Sequence, residues 1–146
     1  MIILDAYAAV ALLRNEPAAG EVRLLLETGD AALTTVGVVE VIDHLVRLAG
    51  AHPDDAALDL AQLRLARPVP LDEVTAVQAG LLRARHYHRR DRPVSLADCV
   101  VGATGRAAQA AVATADPHLL DTCSAEGVEV VVLPDSRGAR WSPRST

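Results

Sequence analysis

The chain has 146 residues, the size of one ordinary domain. Its hydrophobic content of 51% is almost entirely aliphatic, because only 2% of the residues are aromatic and none is Phe. A net charge of -5 excludes a protein that coats nucleic acid by bulk electrostatics, since such binding neutralises phosphates with an excess of Lys and Arg.

The hydrophobic pattern predicts strands that alternate with helices. The first strand covers residues 2–4 and ends at Asp5, and later strands are predicted at 31–35, 111–115 and 128–133. Helices are predicted at about 6–13, 18–27, 36–49, 53–66, 71–88, 95–110 and 117–125. This order is typical of an α/β fold with a mostly parallel sheet of about four or five strands flanked by helices, and ligands of such sheets bind at the carboxyl ends of the strands.

The pattern indicates a single domain at residues 1–133. The final segment, 134–146, is rich in Pro, Gly, Ser and Arg, so we expect a loose tail there. No apolar run approaches the roughly 20 residues that span a bilayer, and the opening residues lack the pattern of a secretory signal. We therefore expect a cytoplasmic protein that does not associate with membranes.

Four acidic residues stand where predicted strands or helices begin or end, at positions that can converge at one edge of the sheet: Asp5, Glu40, Asp98 and Asp116. Carboxylates within a few ångströms of each other cannot all stay ionised unless a cation compensates them. Such a cluster therefore implies raised pKa values or a bound Mg²⁺ or Mn²⁺ ion.

Each of these acids also has a simpler structural explanation. Asp5 and Asp116 precede helices, where a carboxylate caps the first turn. The pair Ser95 and Asp98 has the spacing of a capping box. Glu40 belongs to a polar stripe typical of a solvated helix face. Taken singly, the four residues are weak evidence for a site.

The absence of one residue type removes several enzyme classes. All 14 basic residues are Arg, and the chain has no Lys. This excludes phosphate-binding P-loops, receiver domains and haloacid-dehalogenase-like phosphatases, which need an essential Lys. The chain also lacks an Asp-x-Asp pair, a Gly-x-Ser-x-Gly elbow and a dinucleotide-binding glycine motif.

In order, spacing and context, the four acids and their neighbours resemble the PIN-domain family, and most closely the VapC-type toxins of bacterial toxin–antitoxin pairs. The similarity lies in four segments, MIILDAYA at 1–8, TTVGVVEV at 34–41, SLADCVVGA at 95–103 and VATADPHL at 112–119. One departure is Tyr7, which stands where the family commonly has Ser or Thr. The family's hydroxyl contact is then either lost or made by the phenol.

The resemblance implies a PIN-like fold and an endoribonuclease dependent on Mg²⁺ or Mn²⁺ that cuts structured RNA, either tRNA or rRNA. It implies that Asp5 and Asp98 are the principal metal ligands, and that Asp116 completes the metal shell directly or through water. Glu40 would orient the attacking water or bind a second ion, and Thr114 would hydrogen-bond to the ligands. An intact set of acids favours this enzyme over the alternative, a catalytically inactive PIN-like module that binds RNA or protein.

The same resemblance implies a cognate antitoxin, which covers the active site with its C-terminal segment, and a homodimer. Because an acidic pocket repels phosphate, the RNA backbone must be held by cations outside it. Residues 83–92 carry five Arg and two His against one Asp. The candidates for RNA binding are Arg85, Arg89, Arg90 and Arg92.

Overall fold

The computed structural model describes residues 1–144. Four strands are present, β1 (Ile2–Leu4), β2 (Ala31–Ala32), β3 (Ala111–Thr114) and β4 (Val130–Val132). The α-helices are α1 (Ala6–Leu13), α2 (Ala19–Glu27), α3 (Thr35–Asp43), α4 (Pro53–Ala61), α5 (Glu73–His86), α6 (Leu96–Ala108) and α7 (Pro117–Ala125). A short π-helix, His44–Leu48, continues directly from α3.

The strands form one fully parallel sheet in the order β2-β1-β3-β4. In the central pair Ile3 lies opposite Val112, and Leu4 lies opposite Ala113. The predicted α/β fold with a parallel sheet and flanking helices is therefore confirmed. Because β1 and β3 are neighbours, the residues that follow them, Asp5 and Ala115, leave the sheet at the same edge.

Alternate strand residues pack on opposite faces of the sheet, as the period of two in a strand requires. Leu4 and Ala113 join a cluster of small and aliphatic side chains from α1 to α4. Ile3 and Val112 join a second cluster with residues of α6 and α7, including Cys123. Cys99 and Cys123 are buried free thiols, and burial raises their pKa values to about 11 and about 12. Both are therefore neutral at pH 7.

Several elements are shorter than the sequence pattern predicts. The second strand was expected at 31–35 but ends at Ala32, because Thr34 leaves the sheet to cap α3 and its hydroxyl accepts a hydrogen bond from the Gly37 amide at 2.8 Å. The helix expected at 36–49 is divided at His44, where the backbone widens into the π-helix before Gly50 ends it with a φ of 74°. Helix α4 stops at Ala61 instead of 66.

Residues 134–144 lie against the domain instead of extending from it. The Arg140 guanidinium forms an ion pair with Glu21 on α2 and donates to the Val132 carbonyl, and the Trp141 indole donates to Asp121 on α7. The expectation of a loose tail therefore does not describe this segment, and residues 145–146 lie outside the described part of the chain. The boundary of the domain at residue 133 stays a prediction. Within residues 1–144, no helix is long and apolar enough to cross a membrane.

Two glycines provide a test of how closely α6 packs on β3. A Cβ at Gly105 of α6 would lie 2.7 Å from Val112 Cγ2, whereas a Cβ at Gly80 of α5 would meet nothing within 4 Å. We expect Gly105→Ala to lower the free energy of unfolding in urea by about 1 to 3 kcal/mol through overpacking. The matched Gly80→Ala variant should raise it by up to about 1 kcal/mol, because alanine favours the helix. Equal effects of the two substitutions would contradict this packing.

Candidate metal centre

One cavity of about 520 Å³ opens at the carboxyl edge of the central strands. Asp5 reaches it from the end of β1, Glu40 from α3, Asp98 from the first turn of α6, and Asp116 from the turn between β3 and α7. The remaining lining comes from Ala6, Tyr7, Val10, His44, Ser95, Ala115, Pro117, Asp135 and Ser136. The four predicted acids thus line one cavity, although the elements that carry them are far apart in the sequence.

Asp5 is the most deeply buried of the four, with 7% of its surface exposed. One carboxylate oxygen caps α1 by accepting from the Tyr7 amide at 2.9 Å, and the other accepts from the Thr114 hydroxyl at 2.5 Å. Burial raises the pKa of Asp5 to about 6, the Thr114 hydrogen bond opposes this rise, and the Asp98 charge adds to it. The carboxyl is therefore poised between its charged and neutral forms near neutral pH.

Thr114 connects two of the acidic positions. Its hydroxyl donates to Asp5 and accepts from the Asp116 amide at 3.0 Å, and its side chain is completely buried. The end of β1 is thereby tied to the end of β3 through a single oxygen atom. This position suits the predicted role of Thr114, which is to orient the ligands without touching the ion.

Asp98 and Asp116 also cap helices, so the simpler explanation holds for them as well. Asp98 completes a capping box with Ser95, with N···O distances of 3.0 and 3.1 Å. Asp116 accepts from the His118 amide at 2.8 Å. Each cap uses one carboxylate oxygen, and within residues 1–144 the second oxygen of each has no hydrogen-bond donor. Capping and ligand binding are therefore compatible.

The charges of the cluster act on one another. Burial, followed by the nearby Asp116 carboxylate, raises the pKa of Asp98. Burial and the charges of Asp5 and Asp98 raise the pKa of Glu40 to about 7, although Glu40 is only half-buried. No basic side chain reaches any of these four carboxylates within the described residues. The cavity is consequently rich in negative charge, which is opposed by His118 near Asp98 and by His44 on the wall, where Arg14 lies 3.5 Å from the imidazole.

This donor set fits a hard divalent cation, because carboxylate oxygens are what Mg²⁺ and Mn²⁺ prefer. Among residues 1–144, however, no three His, Cys, Asp or Glu side chains are already spaced as a closed metal site. An ion would be held by the unused oxygens of Asp98 and Asp116 together with Asp5. The ligand roles remain predictions.

The four arginines predicted to bind RNA do not line this cavity. Arg85 forms an ion pair with Glu126 at 2.9 Å, and Glu126 also contacts His86 and Arg106. Arg92 lies 2.9 Å from His86 in the same network. The remaining two, Arg89 and Arg90, are exposed in the turn before α6 and have no side-chain partner within residues 1–144.

The structure also places residues at the cavity that sequence reasoning did not assign. His44, four positions after Glu40, lines it, whereas Asp43 turns away and pairs with Arg47 at 2.8 Å. The spacing of four residues from Glu40, which places both side chains on one face of a helix, was the sequence signal for His44. Asp135 and Ser136 come from the segment expected to be loose, so no pattern in the sequence pointed to them.

The family model described as the PIN domain matches residues 2–124. Since the match covers most of the chain, the protein belongs to the PIN-domain family. No curated protein matches the sequence.

Several solved structures share the fold. FitAcB from Neisseria gonorrhoeae is 23% identical with a TM-score of 0.66, over 89% of this chain and 96% of that one. VapBC2 from Rickettsia felis, bound to a DNA fragment from its promoter, is 13% identical with a TM-score of 0.67, over 90% and 98%. VapC20 from Mycobacterium tuberculosis, a toxin that cleaves the sarcin–ricin loop, is 20% identical with a TM-score of 0.65, over 88% and 96%. At these identities the likeness establishes the fold alone.

The raised pKa values predict that the metal-free protein loses stability as the pH rises. Asp5 and Glu40 have ordinary values of 3.8 and 4.5, so the folded chain binds more protons than the unfolded chain between about pH 4 and pH 7. The stabilising contribution is complete below that window and is lost through it. In EDTA, we expect the free energy of unfolding to fall by on the order of 2 kcal/mol from pH 5 to pH 8.

Urea denaturation at several pH values measures this slope, and the double variant Asp5→Asn, Glu40→Gln provides the control. Its stability should change much less over the same range, because both titrating groups are absent. If the wild-type protein instead becomes more stable toward pH 8, ionisation of these carboxylates does not destabilise the folded state.

Proposed function

We propose that the protein is the toxin of a toxin–antitoxin pair and acts as an endoribonuclease dependent on Mg²⁺ or Mn²⁺. The observation that carries this proposal is the convergence of four carboxylates in one cavity at the carboxyl edge of the sheet. Membership of the PIN-domain family supports it. So do the neighbours in fold, which include a toxin described as cleaving an RNA loop and two toxin–antitoxin assemblies.

In the proposed reaction, Asp5 and Asp98 would hold the ion, and Asp116 would complete its shell directly or through water. When bound, the ion would supply an activated water and stabilise negative charge on the scissile phosphate. Glu40 would orient that water for in-line attack or bind a second ion. The products would be a 5′-phosphate and a 3′-hydroxyl on structured RNA, either tRNA or rRNA.

The proposed partners are a cognate antitoxin and a second copy of the chain. Complexes of FitAB and of VapBC2 with DNA support the antitoxin, since each pairs a protein of this fold with another chain. An exposed apolar stripe on α5 supports the homodimer: Val74, Val77 and Leu81 are 73%, 55% and 48% exposed at helical spacing. Such a stripe is typical of a helix that packs against another surface.

The first test is cleavage of total cellular RNA, mapped by end sequencing, with metal-stripped protein to which Mn²⁺ or Mg²⁺ is returned. We expect discrete cuts by the wild type and a loss of at least about 100-fold in Asp98→Asn, because that variant removes a ligand charge from the cavity. Asp43→Asn is the matched control, since Asp43 lies near the cavity but pairs with Arg47 outside it.

Equal cleavage by the wild type and Asp98→Asn would identify a contaminating nuclease. Intact RNA with the wild type, together with measurable RNA binding that Asp98→Asn leaves unchanged or improves, would instead favour the alternative function. That alternative is a catalytically inactive PIN-like module that binds RNA or protein. Circular dichroism on the same two samples shows whether Asp98→Asn is folded, and calorimetry then shows whether the folded variant has lost the ion.

We further propose that Arg85, Arg89, Arg90 and Arg92 contact the RNA backbone. Arg89 and Arg90 should contribute most, because within residues 1–144 their guanidinium groups form no ion pair that must break before RNA binds. The double variant Arg89→Ala, Arg90→Ala should weaken RNA binding and reduce the slope of log K against log salt by about 1.4, which corresponds to two phosphate contacts on single-stranded RNA. Fluorescence polarisation over a salt series measures it.

The matched control for this prediction is Arg23→Ala, Arg67→Ala, which removes the same charge from other exposed positions. Its salt slope should equal that of the wild type. An identical loss of slope in both double variants would show that net charge, and not the turn before α6, controls RNA binding.

A further inference from the structure

One hydrogen bond connects the beginning of the chain to its C-terminal segment at the cavity. The Tyr7 hydroxyl donates to the Pro134 carbonyl at 2.9 Å, although the two residues are 127 positions apart. Tyr7 is also the residue whose amide donates to the Asp5 carboxylate, and it lines the cavity. The phenol therefore does not donate to the acidic cluster, and the family's hydroxyl contact at this position is not made by Tyr7.

The segment beyond Pro134 has a compact turn of its own. Asp135 accepts from the Arg137 and Ala139 amides at 2.8 and 2.9 Å, and its own amide donates to the Ala139 carbonyl. Gly138, with a φ of 83°, supplies the left-handed residue that closes this turn. One oxygen of the Asp135 carboxylate accepts both of these bonds and so shapes the turn beside the cavity.

The turn is held at both ends. Tyr7 fixes Pro134 on one side, and Arg140 fixes the other side through Glu21 and the Val132 carbonyl. Between these two attachments, Asp135 and Ser136 form part of the cavity wall. The position of this part of the wall therefore depends on Tyr7 and Arg140, and not on the four acidic residues of the cavity.

We propose that Tyr7 is a positioning residue: its hydroxyl holds residues 134–139 as a rigid wall of the acidic cavity, and this wall selects which unpaired RNA segment reaches the carboxylates. The cavity, at about 520 Å³, has the size of a small-ligand pocket, which is large enough for one flipped-out or unpaired nucleotide. A segment that can move away would admit more RNA contexts. The selection of RNA rests on the proposed function, whereas the attachment of the wall does not.

Hydrogen exchange of the metal-free protein tests the attachment without any activity. Tyr7→Phe keeps the ring and removes only the donor, so the amides of residues 135–139 should exchange about fivefold faster, the effect of losing one hydrogen bond of about 1 kcal/mol. Tyr87→Phe is the matched control, because the Tyr87 hydroxyl has no partner within residues 1–144, and it should exchange like the wild type. The double variant Tyr7→Phe, Arg140→Gln should exchange faster than Tyr7→Phe alone. Unchanged exchange in Tyr7→Phe would overturn the proposal.

RNA selection is tested on the same variant. Tyr7→Phe should raise KM about threefold or more, keep kcat within about twofold, and add cleavage positions in end-mapped RNA. A purely structural role would leave KM and the cleavage map unchanged, and that result would overturn the proposed selection even if exchange increases. If the wild type cleaves no RNA, the proposed function fails, and RNA selection is then tested by binding alone. The affinities of the metal-free protein for a stem-loop and for an unpaired oligonucleotide are measured in the wild type and in Tyr7→Phe. If the ratio of these two affinities is the same in both proteins, the proposed selection is overturned.

Discussion

The hydrogen bond from the Thr114 hydroxyl to the Asp5 carboxylate is the contact on which the arrangement of the site depends. It joins the ends of two adjacent parallel strands, and the same oxygen accepts from the backbone of Asp116. Thr114 and the Tyr7 amide supply one donor to each oxygen of this buried carboxylate, which reduces the cost of burying it. Once the strand ends are fixed, the helices that follow them begin at set points, and their caps aim the acids into one cavity.

The cluster illustrates a conflict between stability and function. Burial and nearby negative charge raise the pKa values of Asp5, Glu40 and Asp98, so the fold carries a cost that the aliphatic core must offset. The core does so with Ala, Val and Leu packed on both faces of the sheet, and without any Phe.

Much of this was predictable because local patterns determine it. The alternation of strands and helices follows from hydrophobic period, and Asp5 and Asp116 are recognisable as residues that end a strand and cap a helix. The early end of β2 was missed because the Thr34 hydroxyl caps α3, and the contact of Arg85 with Glu126, 41 residues away, has no local signal in the sequence. The C-terminal segment has the composition of a loose tail, yet Tyr7 and Arg140 attach it. Composition predicts the conformational preference of an isolated segment, but it does not predict the tertiary contacts that the segment makes.

The π-helix after α3 also has a bearing on how this cavity can change. A π turn contains one residue more than an α turn and commonly marks a functional position. Here it begins at His44, just after the turn that carries Glu40. The irregular backbone therefore lies between Glu40 and His44, which both line the cavity. Gain or loss of a single residue in this turn would alter the wall at His44 while leaving the register of Glu40 intact. The helix thus contains a place where evolution can adjust the pocket in one-codon steps without disturbing its acidic centre.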